Sequence, residues 1–167
     1  FDDFMAAKEA TGMVRVLTPE EVDKVVATAL VPNEKEISGY SPNKKFVGKH
    51  TKVILEAAGV ACEGDPRTAI FVAENDHPFV QTEQLMPILP IVRCKDFEEA
   101  VERAVAAEHG FRHSASIWSE DTKRVTEFGK RVKTTAYVQC GMTMTAVAGS
   151  PTIATPTGEG PTGPWTF

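Results

Sequence analysis

Apolar positions along the chain fall into short blocks whose period switches between about 3.6 and two. In FDDFMAAKEATG, Phe1, Phe4, Met5 and Lys8 have helical spacing and Gly12 can close the last turn. VRVL then reads as a short strand. LTPEEVDKVVATAL carries helix-start chemistry: Thr18 can cap, Pro19 suits the first helical position and Glu21 completes a capping box. Val22, Val25, Val26, Ala29 and Leu30 form one apolar stripe, which Pro32 ends. Asn33 to Lys45 is polar, contains Gly39 and Pro42, and reads as loop. A second helix is predicted from Lys49 to Ala58, stopped by Gly59.

TAIFVAE, Thr68 to Glu74, has the length and residue types of a buried strand. Pro87 to Lys95 is a further strand whose prolines let it pair along only part of its length. KDFEEAVERAVAAEHG is the clearest helix. Asp96 caps it, Glu99 completes the box, Phe97, Ala100, Val101, Ala104 and Val105 line one face, and Gly110 closes it. Ser114 to Trp118 reads as a strand. SEDTKRVTEFGKRV reads as a helix capped by Ser119, with Val125, Phe128 and Val132 inside. Thr134 to Cys140 is a last strand, and the remaining 27 residues, rich in Gly, Thr and Pro, read as loop. Strand and helix alternate, which predicts an α/β layered domain with a largely parallel sheet. Ligands in such sheets tend to sit at the carboxyl ends of the strands.

At 167 residues the chain is one domain or a large piece of a bigger one. A formal net charge of -5 gives no long-range attraction for a phosphate backbone, which argues against a nucleic-acid partner but leaves room for a local basic pocket that takes a phosphorylated cofactor. Three cysteines with no CxxC pair argue against a disulfide scaffold and a cysteine zinc site, and fit a reducing cytosol. No apolar run approaches the roughly 20 residues that cross a bilayer.

HPFVQTEQLMPILPIVR places one carboxylate, Glu83, between Pro78 and Pro87, ahead of an apolar run. Such a group is either a solvated loop acid or a carboxylate held at a sheet end to accept sugar hydroxyls, as acidic groups do on cofactor riboses in other folds. His109 and His113 have the spacing of a helical metal pair, but Gly110 between them should end the helix, so no metal site is expected. His77 and His113 are each either packed or pocket histidines. Cys62, Cys94 and Cys140 have no base partner in sequence, and Glu63 and Asp65 beside Cys62 work against its thiolate. TPTGEGPTG has glycines for close backbone approach but neither P-loop nor GxGxxG spacing.

NKKFVGK, HPFVQTEQLMPILPIVR, AEHGFRHSASIWS and TIATPTGEG, in that order, resemble the C-terminal part of the aldehyde dehydrogenase superfamily. Within it the sequence is most similar to the CoA-acylating propionaldehyde and acetaldehyde dehydrogenases of bacterial microcompartments. The resemblance implies a catalytic-domain-like α/β fold. It also implies oxidation of a short-chain aldehyde with NAD and coenzyme A: a cysteine thiolate attacks, hydride leaves to NAD+, and CoA captures the acyl-enzyme. By position, Glu83 matches the glutamate that binds the nicotinamide ribose, and Leu85 the usual aromatic beside the nicotinamide. His113 matches a pocket histidine. Ile153 and the loop bearing Thr155, Thr157, Gly158, Glu159 and Gly160 match the aldehyde and acyl pocket.

The same resemblance places the nucleophilic cysteine and the cofactor domain upstream of Phe1 and a terminal oligomerisation strand after Phe167, with a shortening between Val138 and Pro151. Residues 1–167 are then a partial catalytic domain, expected to be inactive alone. The implied partners are the aldehyde, further copies of the full-length chain, and microcompartment shell or lumen enzymes, in the cytoplasm or a microcompartment lumen. Two alternatives stand beside this: an acyl-phosphate reductase of the same superfamily, and a non-catalytic α/β module used for binding or assembly.

Overall fold

The computed structural model describes residues 5–6 and 11–141. The chain divides into two compact units, Phe1–Arg93 and Cys94–Phe167.

In the first unit β1 (Val14–Val16), β4 (Thr68–Ala73) and β5 (Ile88–Val92) form a parallel sheet in the order β1-β4-β5. Ala69 stands beside Ile88 and Ala73 beside Val92, which fixes which side chains share a face. Ala69, Phe71, Ala73 and Ile88 point to one side. There they pack on Val22, Val25 and Ala29 of α1 (Pro19–Ala29) and Ile54 and Leu55 of α2 (Thr51–Ala57). On the opposite side Val72 and Leu89 are 55% and 53% exposed.

α1 starts as its sequence predicts. Thr18 Oγ1 accepts from the Glu21 amide at 3.4 Å, Glu21 accepts from the Thr18 amide at 2.9 Å, and Arg15 pairs with Glu21 at 2.6 Å. The helix ends one residue early. Leu30, expected on its apolar stripe, is extended and opens β2 (Leu30–Pro32), which pairs antiparallel with β3 (Tyr40–Pro42). The segment read as loop therefore holds half of a hairpin. Each strand is three residues long and carries a proline, too short for a period of two to show. Asn33 organises the turn, accepting from the Lys35 amide at 3.1 Å and donating to Ser41 Oγ at 2.8 Å. α2 spans two residues fewer at its start than predicted and is stopped by Gly59 at φ 69°.

The second unit contains α4 (Phe97–Ala107), β6 (Ser114–Ile117), α5 (Thr122–Val132) and β7 (Ala136–Gln139), with α3 (Pro78–Gln81) belonging to the first. β6 and β7 are parallel, and Val101, Phe128, Val132 and Tyr137 form the core. Tyr137 Oη donates to the Val125 carbonyl at 2.7 Å, and burial pushes its phenol pKa up. A side chain at Gly129 would put its Cβ 2.9 Å from the Tyr137 ring, so only glycine lets α5 lie this close to β7.

Two caps differ from expectation. α5 is capped by Asp121, whose carboxylate accepts from the Lys123 and Arg124 amides; Ser119 instead accepts from the Asp121 amide at 3.1 Å. A carboxylate bonds two amides and favours the helix N-terminus by charge, which a hydroxyl cannot match. At α4, Asp96 caps as predicted, but Glu99 reaches the Lys95 amide rather than the cap's own and also pairs with Arg103 at 2.7 Å.

Candidate functional site

Glu83 lies in the link from α3 to β5. Proline at the first helical position and His77 at the cap start α3, and His77 Nδ1 accepts from the Phe79 amide at 3.2 Å. The helix lasts four residues, closed by the Thr82 amide on the Pro78 carbonyl at 2.9 Å. Four bonds shape the link between this helix and β5. Thr82 Oγ1 donates to Ser38 Oγ of the β2–β3 hairpin at 2.8 Å. Gln84 Nε2 donates to the Ile88 carbonyl at 3.0 Å. The Gly48 amide donates to the Leu85 carbonyl at 3.1 Å, and the Ala69 amide to the Pro87 carbonyl at 2.9 Å. Glu83 sits inside this pinned turn, exposed, its carboxylate without a hydrogen bond or ion pair among the described residues.

Leu85 has φ 53° and is 50% exposed. A leucine in the left-handed region costs roughly 1–2 kcal/mol, and this one returns little of that cost by burial. Leu85→Val is expected to lower stability by a further 1–2 kcal/mol or so, because β-branching is least tolerated at positive φ. The urea midpoints of the two proteins check this, and equal midpoints would contradict the left-handed turn.

Glu83 and Leu85 precede β5 and so stand at the amino end of the parallel sheet. The carboxyl end holds a cavity of about 590 Å³ whose walls include Val22, Phe71, Asp23, Glu74, Asp76 and His77. The His77 ring meets Phe71 edge-on at 5.1 Å and stacks with Phe79 at 6.0 Å. Burial among these groups lowers its pKa, opposed by Asp23 and Asp76. A folded-state pKa below the unfolded value means that the unfolded chain takes up the proton first. His77 therefore stabilises the fold above the ordinary histidine pKa of about 6.5 and loses this contribution as pH falls through its folded value. Protonation also removes the acceptor that caps α3. The urea midpoint should drop from pH 7 to pH 5.5, with a smaller drop in His77→Asn, which keeps a capping oxygen.

In the second unit His113 is half-buried directly before β6, its Nδ1 3.0 Å from Ser114 Oγ. Its carbonyl accepts from the Ala136 amide at 3.1 Å, and the preceding Arg112 has φ 55°. His109 lies beyond the end of α4 at φ 54°, its Nε2 buried without a partner among the described residues. Among those residues no group of three or more His, Cys, Asp or Glu can hold a metal. Cys62 packs against the first core. Burial raises the Cys94 pKa, which keeps it a thiol, and Cys140 is exposed at φ 50°. Ile153, Thr155, Thr157, Gly158, Glu159 and Gly160 lie outside the described residues.

The sequence profile described as the aldehyde dehydrogenase family matches residues 52–153, more than half of the chain. The chain belongs to the aldehyde dehydrogenase family. Its relatives include the CoA-propanoylating propanal dehydrogenase of Salmonella typhimurium, 36% identical over 91% of this chain and 33% of that protein. Two solved aldehyde dehydrogenases resemble it in structure. One is a propionaldehyde dehydrogenase from the Clostridium phytofermentans fucose utilisation bacterial microcompartment, at TM-score 0.81 and 33% identity, covering 95% of this chain and 36% of that one. The other is Rhodopseudomonas palustris propionaldehyde dehydrogenase with bound propionyl-CoA, at TM-score 0.79 and 30% identity, covering 95% and 35%. The chain thus spans about a third of the length of the relatives it matches, and it shares with them a mixed α/β architecture with parallel strands.

The link to Gly48 was not visible in sequence. NKKFVGK stood out as a motif, but nothing in its spacing said that its glycine amide would hold the carbonyl of Leu85.

Proposed function

We propose that the chain is part of a CoA-acylating aldehyde dehydrogenase that converts a short-chain aldehyde, NAD+ and CoA to acyl-CoA, NADH and a proton through a cysteine thioester. The observation that carries this reading is the Glu83–Leu85 turn. It offers an exposed, unpaired carboxylate next to a strained, half-exposed leucine, in a chain similar to a propanal dehydrogenase and to an enzyme with bound propionyl-CoA. A ribose needs acceptors for its hydroxyls and a nicotinamide ring needs an apolar face, so these residues fit the group. When bound, NAD+ supplies the hydride acceptor. Glu83 would accept from the ribose hydroxyls. Leu85 would offer the nicotinamide an apolar surface. We assign His113 a place in the substrate pocket on the family resemblance, which gives the same role to Ile153, Thr155, Thr157, Gly158, Glu159 and Gly160. The thiolate nucleophile and the cofactor domain are supplied from outside these residues, in an assembly of several copies in the cytoplasm or a microcompartment lumen.

The test uses the intact gene product with propionaldehyde or acetaldehyde and NAD+, with and without CoA. NADH formation that needs CoA, with acyl-CoA identified by mass, is the expected result. Reduction of an acyl phosphate without CoA-dependent aldehyde oxidation would replace this reading with that of an acyl-phosphate reductase. No turnover of either kind would leave a non-catalytic module.

A further inference from the structure

We infer that Gln84 is the positioning residue of Glu83: its side chain ties the turn to β5 and so fixes where the neighbouring carboxylate stands. The inference rests on the ribose-binding reading of Glu83. Gln84 is half-buried, with Glu83 exposed before it and Leu85 exposed after it. Its Nε2 donates to the Ile88 carbonyl at 3.0 Å, so the side-chain amide closes a loop over Leu85, Met86 and Pro87. Pro87 has no amide hydrogen, and the backbone cannot close this turn through it. The Gln84 side chain supplies a donor where the proline has none.

The other half of the same amide is unpaired. Gln84 Oε1 is buried and has no hydrogen-bond partner among the described residues. Turning the amide over would not relieve this, because it would set oxygen against the Ile88 carbonyl oxygen and lose the bond that Nε2 makes. A buried acceptor without a donor costs at least as much as one neutral hydrogen bond contributes. For stability alone a methionine would serve better here, since it has similar length and no orphaned polar atom. The next residue carries a second local cost, Leu85 at φ 53°. Two unfavourable features on adjacent residues, beside an exposed carboxylate, mark a turn shaped for its site rather than for the fold.

The bonds on either side of Glu83 explain how Gln84 acts. Before it, Thr82 Oγ1 donates to Ser38 Oγ at 2.8 Å; after it, Gln84 is bonded to Ile88. Further on, the Leu85 carbonyl accepts from the Gly48 amide at 3.1 Å and the Pro87 carbonyl from the Ala69 amide at 2.9 Å. Both sequence neighbours of Glu83 are thus held by their side chains, one on the β2–β3 hairpin and one on β5. The carboxylate is placed by its neighbours without being occupied by them. A ligand that uses it has to order only the Glu83 side chain, whereas a turn loosened at Gln84 would have to be ordered as well. Gln84 itself need touch no ligand, because it acts through Glu83.

The experiment uses the intact gene product and compares the parent with Gln84→Met, Glu83→Gln and the double variant. Isothermal titration with NAD+ reads binding without turnover. Gln84→Met should weaken NAD+ binding about fivefold in the parent background, and by less than about twofold once Glu83→Gln is present, because the two residues act as one unit. Hydrogen exchange followed by mass spectrometry supplies a readout that does not need NAD+. The peptide carrying Gly48 should exchange faster in Gln84→Met, while α1 keeps the parent's rates. Equal losses of NAD+ affinity in both backgrounds would overturn the positioning role, as would a Gln84→Met protein that binds NAD+ within about twofold of the parent. Faster exchange throughout α1 as well would make Gln84 an ordinary structural residue. Unchanged NAD+ binding in Glu83→Gln would overturn the ribose reading itself, whereas a loss there with no effect of Gln84→Met would overturn the role of Gln84 alone.

Discussion

Phe71→Ala should cost the first unit about 3–5 kcal/mol, the range for deleting a large aromatic from a close-packed core. Phe71 is 2% exposed and lies on the inner face of β4. Its ring meets His77 at 5.1 Å and Phe79 at 5.9 Å, both edge-on. Two aromatic contacts are lost together with the buried area, and the ring also forms part of the wall of the cavity at the carboxyl end of the sheet. The next residue supplies the control. Val72 points to the opposite face and is 55% exposed, so Val72→Ala should change stability by only about 0.5 kcal/mol. Urea denaturation followed by far-UV circular dichroism measures both. Similar costs at the two positions would mean that the strand does not alternate as described.

Glu83→Gln in the intact enzyme should lower kcat/KM for NAD+ about tenfold, through a raised KM. The difference between a hydrogen bond to an ion and one to a neutral amide is about 1–1.5 kcal/mol. The substitution keeps the side chain's shape and one acceptor. Because the carboxylate bonds nothing among the described residues, the melting temperature should stay put. Unchanged kinetics with NAD+ would remove Glu83 from the site, whereas a fall in melting temperature would make it structural. Combined with Leu85→Val, the effects on binding should not simply add, since both residues ride on one turn.

How much of this was legible in the sequence depended on how local the cause was. The start of α1 was readable because Thr18, Pro19 and Glu21 act on one another within a single turn. The TAIFVAE strand was readable because Thr68, Ile70, Phe71 and Val72, all β-branched or aromatic, fall within six residues and leave few alternatives. The cap of α5 was misassigned because Ser119 and Asp121 can each form the local bonds, and charge at the helix terminus decided between them. The β2–β3 hairpin was missed because its strands are defined by each other rather than by their own pattern. Glu83 was singled out by its neighbours in sequence. What shapes the turn around its unpaired carboxylate, the ties to Ser38 and Gly48, is wholly tertiary.

The Thr82–Ser38 bond spans 44 positions in the chain. Helices and the turns of the hairpin need only near neighbours and can form early in folding, while a bond of this reach must wait for the loop between its partners to close. The turn that carries Glu83 takes its shape from bonds of this kind, so the site should be completed after the helices that surround it. In pulse-labelled refolding the amides of α1 should gain protection before that of Gly48, which bonds the Leu85 carbonyl 37 positions away. On the proposed cofactor role of Glu83, the order of assembly then withholds the binding turn until the surrounding scaffold is in place.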